Sequence, residues 1–155
     1  MFPQTTEYAL RVVAHLAGGG GASMTNHELA KVSGVPAGYL AKVVGSLNRS
    51  GIVISQRGLH GGSILAKPPR EITLYDVVQA VGPLRRIHMC PLGMKKGHGT
   101  NLCPLHRHLD DAIATVERAF RKTSIGDLLA SPVRGRILRK ATKPRRPAPR
   151  ARRPA

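Results

Sequence analysis

Residues 25–51 read TNHELAKVSGVPAGYLAKVVGSLNRSG, and the spacing within them decides the fold. Thr25 followed three residues later by Glu28 has the form of a capping box, with a hydroxyl at the N-cap and a carboxylate on the first turn. Leu29, Ala30 and Val32 follow, and Gly34 closes a helix of about two turns. Pro36 suits the first position of a second helix, where its missing N–H costs nothing. Leu40, Val43, Val44 and Leu47 recur at i, i+3, i+4 and i+7 and mark the buried face of that helix, which Gly51 ends. Two short helices joined by a tight glycine turn form a helix-turn-helix.

Immediately downstream the period changes. Ile52-Val53-Ile54 reads as a strand and Ser63-Ile64-Leu65-Ala66 as its return, with Gln56-Arg57-Gly58-Leu59-His60-Gly61-Gly62 as a glycine-rich tip. A β-hairpin in this position is a wing. Upstream, Tyr8, Ala9, Val12, Val13 and Leu16 lie on one helical face that the run Gly18 to Gly21 terminates. Beyond the wing, Lys67-Pro68-Pro69 breaks the chain. Thr73 and Asp76 then cap a helix whose apolar face is Leu74, Val77, Val78 and Val81. The longest helix runs from Pro104 to about Lys122 with Leu105, Leu109, Ile113, Val116 and Phe120 on one stripe, and a short one follows around Ile125 to Leu129. The expected fold is mostly α with a small β wing. Residues 1–82 make a winged helix-turn-helix, 83–103 an irregular loop, 104–131 a long helix with a short one after it, and 132–155 a tail.

Charge points to the partner. The 155 residues carry 25 Lys and Arg against eight Asp and Glu. All eight acids lie between Glu7 and Asp127, and residues 1–133 hold 15 of the cations, a net charge of +7. Residues 134–155 add ten cations and no acid, in a composition of Arg, Lys, Pro and Ala that cannot bury a core and should stay disordered. A basic body favours phosphate partners through steering and counterion release, and the tail can add salt-sensitive, sequence-independent contact. No run approaches the roughly 18 apolar residues of a membrane span. Met1-Phe2-Pro3-Gln4 lacks the basic start and apolar stretch of an export signal, so a cytoplasmic protein without a membrane partner is expected.

The second helix and the wing are the parts that would read double-stranded DNA, one in the major groove and the other on the neighbouring backbone or minor groove. Ala37, Gly38, Tyr39, Ala41 and Lys42 face solvent at the start of that helix. Tyr39 and Lys42 offer hydrogen bonds to phosphates or base edges, and the small residues permit close approach. Arg57 at the wing tip, flanked by glycine, suits a narrow electronegative minor groove. Thr25, Arg49, Gly58, His60 and Gly61 complete the candidate contact set. No nucleophile–base pair, phosphate-binding glycine loop or paired carboxylates stand at usable spacing, so an enzyme is not expected. A basic architectural or RNA-associated protein is the alternative to a sequence-specific regulator.

The residues Tyr8-Ala9-Leu10-Arg11-Val12, Leu29-Ala30, Tyr39-Leu40, Lys42-Val43 and above all Arg57-Gly58-Leu59-His60-Gly61-Gly62 resemble the Rrf2 family of bacterial winged-helix repressors. The resemblance runs over about residues 1–130. It implies homodimers joined through the long helix that starts at Pro104, near-palindromic operators, and a minor-groove role for Arg57. A family member that regulates iron–sulfur assembly carries a serine and a glutamate where this chain has Gly38 and Ala41, so that base readout does not carry over.

Cys90-Pro91-Leu92 and Cys103-Pro104-Leu105 echo each other across the loop. Pro104 makes Cys103 an N-cap, and His106 falls three residues later on the same side of the first turn. His88 and His98 are nearby in sequence. Thiolates with imidazoles suit zinc or iron–sulfur centres. A dithiol redox pair and a purely packing role for the two Cys-Pro-Leu turns are the other readings. Iron–sulfur members of the resembled family place three cysteines here, the outer two matching Cys90 and Cys103, with a histidine at the position of His106. The middle cysteine is absent, leaving His98 or Glu7 to complete the set. The resemblance implies a 2Fe–2S cluster in preference to 4Fe–4S, with zinc or no metal as alternatives.

Overall fold

The computed structural model describes residues 3–56, 61–84, 103–132 and 138. In chain order these form α1 (Gln4–Gly18), α2 (Asn26–Ser33), α3 (Ala37–Arg49), β1 (Val53–Gln56), β2 (Gly62–Leu65), a 3-10 turn (Pro69–Glu71), α4 (Leu74–Val81), α5 (Pro104–Lys122) and α6 (Ile125–Ala130). The two strands pair antiparallel, Val53 with Leu65 through Gln56 with Gly62. This is the winged helix read from the sequence.

The apolar periodicities became one aliphatic core. Tyr8, Ala9, Val12, Val13 and Leu16 of α1 pack with Leu29 of α2, with Leu40, Val43, Val44 and Leu47 of α3, and with Val77 of α4. Truncating one of the fully buried leucines to alanine would cost about 2–5 kcal/mol. Thr25 and Glu28 form the expected capping box, and Gly34 ends α2 in the left-handed region at φ +67°. Gly51, at φ +68°, turns the chain out of α3 into the wing. Pro36 stands one residue earlier than expected. At ψ 136° it is the N-cap, and its carbonyl accepts the N–H groups of Tyr39 at 2.9 Å and Leu40 at 3.0 Å. The proline ring restricts φ and leaves ψ open, so the residue serves before the helix as readily as inside it.

Two features hold the wing and the C-terminal elements to this core. Ser63 of β2 exchanges both backbone hydrogen bonds with Met24, at 2.7 and 3.1 Å, tying the wing root to the chain that leads into α2. Farther on, Leu74 N–H donates to Thr123 O at 2.9 Å and Ile125 N–H to Ile72 O at 2.8 Å. That clip seats α6, which has its own capping box of Ser124 and Asp127, against the 3-10 turn. Ile125 is fully buried in the same core as Tyr8 and Leu40. The short helix grouped in sequence with α5 therefore contributes to the core of the winged helix.

α5 packs on α4 and leaves most of its own apolar stripe uncovered. Only His106 is buried along its length, while Leu105, Leu109 and Val116 are 41, 39 and 37 % exposed. Its last turn is pinned by Arg121, whose guanidinium lies 3.5 Å from the ring centroid of Tyr75 and bonds Glu117 at 2.8 Å. Of the region expected to be disordered, Leu138 is partly buried, and a Cβ built on Gly18 would come within 2.7 Å of it. The rest of residues 133–155 lies outside the described residues.

Candidate nucleic-acid interface

α3 divides cleanly into two faces. Leu40, Val43, Val44 and Leu47 are buried, whereas Ala37, Gly38, Tyr39, Ala41, Lys42, Asn48 and Arg49 are exposed. The helix carries no acidic residue, and Arg49 leans along it to bond Ser46 Oγ at 3.0 Å. Among the described residues, nothing lies within 4 Å of a Cβ placed on Gly38, and at Gly45 the sole neighbour within that distance is Arg49 Nη1 at 3.6 Å. Both glycines are helical residues, and each costs roughly 1 kcal/mol of helix stability relative to alanine.

The exposed Tyr39 is not loose. Its ring meets Tyr8 of α1 edge-on, with centroids 5.9 Å apart, and the Arg11 guanidinium lies over the Tyr8 ring at 5.9 Å. Arg11 also faces Glu7 at 3.7 Å. The first helix thus braces the recognition helix with an aromatic pair and brings a guanidinium to the same corner. Sequence reading missed Arg11. The available signal was its place three residues after Tyr8, off the buried stripe.

Where α2, α3 and the wing root converge there is a crevice of about 300 Å³, lined by Thr25, Asn26, Val44, Ser55, Gln56 and Gly61 among others. Asn26 and Gln56 are further polar side chains there that the sequence reading did not single out. Thr25 Oγ1 accepts from Glu28 N–H at 3.2 Å and donates to the Glu28 carboxylate at 2.8 Å, so the cap already uses the hydroxyl. Those bonds from Thr25, backbone N–H first, hold the Glu28 carboxyl below its ordinary range. The final glycine of the wing motif has a steric reason. A Cβ on Gly62 would stand 2.3 Å from Ser23 Oγ and 2.9 Å from the backbone of Met24.

Electrostatics reinforce the geometry. From Leu29 to Arg70, the span that builds most of α2, all of α3 and the wing, the sequence has no acid and six cations: Lys31, Lys42, Arg49, Arg57, Lys67 and Arg70. Such a field favours a polyanion over a neutral or cationic partner.

The candidate contacts Thr25, Ala37, Gly38, Tyr39, Lys42 and Arg49 are therefore on the surface of one helix-turn-helix, and Gly61 is half-buried at the wing root. Arg57, Gly58 and His60 lie outside the described residues, as do Cys90 and His98. Cys103 is the N-cap of α5, its Sγ accepting the His106 N–H at 3.3 Å, and the His106 side chain is buried. The thiol and imidazole read as a pair are thus brought to one helical turn. Glu7 is exposed on α1. Among the described residues, no group of three or more His, Cys, Asp or Glu stands together as a metal site.

A family model for Rrf2, described as an iron-dependent transcriptional regulator, matches residues 2–131. A protein of Aquifex aeolicus (strain VF5), named as an HTH-type transcriptional regulator, is 34% identical over 131 residues, 83% of this chain and 91% of its own length. Among solved structures, CymR (YrzC), the global cysteine regulator of B. subtilis, superposes with a TM-score of 0.66 at 21% identity, covering 84% of this chain and 96% of that one. IscR of T. potens superposes with a TM-score of 0.64 at 21% identity, covering 84% and 86%. At these identities the two structures speak for the fold.

Proposed function

The chain belongs to the Rrf2 family of transcriptional regulators, and from that premise we propose that it is a homodimeric repressor of near-palindromic operators, controlled through the loop before α5. DNA-binding transcription regulation is what the family does; the operator, the dimer and the control are our reading. The observation that carries it is the surface of α3, where Tyr39, Lys42 and Arg49 stand exposed on an acid-free helix beside the wing root. Lys42 and Arg49 supply charge-assisted donors to phosphates or to guanine edges, Tyr39 a hydroxyl, and Arg57 on the wing a cation for the minor groove.

Dimerisation through α5 is supported by its exposed stripe of Leu105, Leu109 and Val116. Beside it lies an apolar cleft of about 210 Å³, lined by Pro3, Val78, Leu84, Ile113 and Val116 among others. Apolar side chains repeated along one helix are what a second copy would cover. A two-fold pair of recognition helices then calls for a palindromic site. Its setting is the cytoplasm, where the operator is.

The two described donors, Cys103 and the buried His106, fit the chemistry of a soft metal or an iron–sulfur centre as far as two ligands go. Cys90, Cys103 and His106 would hold the group, with His98 or Glu7 completing the set, as a 2Fe–2S cluster or zinc. Such a group would supply a charge and a cross-link that depend on redox state or metal supply. Within the chain, the Sγ of Cys103 caps α5, so a change at that sulfur acts directly on the start of the helix proposed to join the dimer.

Two experiments test the reading. Selection from a randomised duplex pool should recover a palindrome bound about a thousandfold more tightly than unselected DNA. Equal affinity for both would place the protein with basic architectural binders. Anaerobic purification with a visible spectrum and iron and zinc analysis tests the loop. Stoichiometric iron with absorption between about 300 and 500 nm supports the cluster, zinc without colour supports a zinc site, and neither after reconstitution overturns metal control.

A further inference from the structure

Glycine is expensive inside a helix, so each one asks for a reason. Most of the described glycines have one. Gly20, Gly21, Gly34 and Gly51 have positive φ. Gly18, Gly19, Gly62 and Gly126 each have an atom within 3.0 Å of where a Cβ would stand, and Gly82 ends α4. Gly38 and Gly45 have an ordinary helical backbone, and among the described residues a Cβ would meet nothing within 4 Å at Gly38 and only the end of the Arg49 side chain, at 3.6 Å, at Gly45. Both lie within α3, seven residues apart and hence on one face. Lys42 and Ala41 fall between them on that face, both exposed.

The free protein gains nothing from these two glycines and would fold more firmly with alanine at either position. The same face belongs to the acid-free surface already described and carries Lys42 at its centre. From this we infer that Gly38 and Gly45 are specificity-determining positions, where the backbone of α3 closes on the wall of the DNA groove with no side chain between. Lys42 and Arg49, whose guanidinium reaches back to Gly45, are the long side chains that this close approach delivers to base edges or phosphates. A methyl group added at either position lifts the helix away from the groove and shortens the reach of Lys42. A bound, unselected duplex held mainly through phosphates tolerates that shift, whereas direct readout does not. The inference rests on the DNA-binding reading of α3 and deepens it.

The test uses the full chain and two variants at each position, Gly38→Ala, Gly38→Gln, Gly45→Ala and Gly45→Gln. The probes are the tightest 30-bp duplex that the wild-type chain recovers from a randomised pool, and an unselected duplex of the same length. The expected result is a Tm raised by about 2–4 °C in each alanine variant. Kd for the selected duplex should rise about tenfold with alanine and further with glutamine, against less than about twofold for the unselected one. Alanine variants that are more stable and bind the selected duplex as the wild type does would overturn the inference and leave the family reading intact. A lowered Tm would also overturn it, since the fold would then need the glycines. If the wild-type chain recovers no preferred duplex, sequence-specific regulation itself fails. In that case the inference, which rests on that reading, falls with it.

Discussion

The ring of Tyr8, buried in α1, meets the ring of Tyr39, half-exposed on the first turn of α3, edge-on at 5.9 Å and 65°. One tyrosine belongs to the core and the other to the surface proposed to face DNA, so the pair fixes α3 where it begins. Tyr39→Phe keeps the ring contact and removes only the hydroxyl. Its melting temperature should match wild type within about 2 °C, and its operator Kd should rise two- to tenfold as one hydrogen bond to DNA is lost. Tyr8→Leu instead removes the edge contact, worth about 0.5–1.5 kcal/mol, and should lower stability and affinity together. Titration of the operator by fluorescence anisotropy beside thermal melts separates the two.

Gly62→Ala should damage the wing without touching DNA. The added methyl would meet the backbone of Met24 at 2.9 Å, on the rung that holds the hairpin root. Overpacking of this kind costs about 1–3 kcal/mol. Loss of the Met24–Ser63 amide protection in hydrogen exchange would locate the damage. Unchanged protection and stability would show that the root has slack.

Acid should lower the stability of the fold in two stages. Burial holds the His15 imidazole below its ordinary 6.5, so the unfolded chain takes up that proton first. Stability from this residue is complete above about pH 6.5 and declines as the pH falls below it. The Glu28 and Asp127 carboxyls are held below 4.5 and 3.8 by hydrogen bonds from Thr25 and Ser124, backbone N–H first. Their contribution is present above those values and is lost as the pH drops through the folded ones. Urea midpoints measured from pH 8 to pH 3 should show His15→Gln flattening the upper stage, and Thr25→Ala with Ser124→Ala flattening the lower.

Leu109→Glu with Val116→Glu should separate the proposed dimer while sparing the single chain, because both side chains are more than a third exposed in it. Sedimentation equilibrium should report a monomer with unchanged far-UV circular dichroism. Operator affinity should fall about a hundredfold, since the two half-sites would then be bound independently. A dimer that survives both charges would move the interface away from α5.

Replacing the six cations from Lys143 to Arg153 by glutamine should reduce the slope of log affinity against log salt on random DNA. The ratio of operator to random affinity should rise, because the tail adds attraction without discrimination. An unchanged slope would mean the tail does not reach the duplex.

The sequence by itself determined the elements, the core faces and the class of function. Helical and strand periodicities are local consequences of burying one face, so Leu40, Val43, Val44 and Leu47, and the strands on either side of Arg57-Gly58, were legible from spacing alone. The Thr25 and Thr73 boxes were legible for the same reason, since a cap is satisfied within four residues. Tertiary structure alone decided what depends on distant parts of the chain. Ile125 belongs to the core because its N–H bonds the carbonyl of Ile72, more than fifty residues back, and no local pattern announces that bond. Arg11 reaches the recognition corner because Tyr8 packs on Tyr39. Glycines that look alike in sequence proved different in kind: Gly62 is dictated by a close neighbour, while no described atom stands within 4 Å of a Cβ on Gly38. Whether a glycine serves the fold or the ligand is a question about surrounding space, and only the folded chain defines that space.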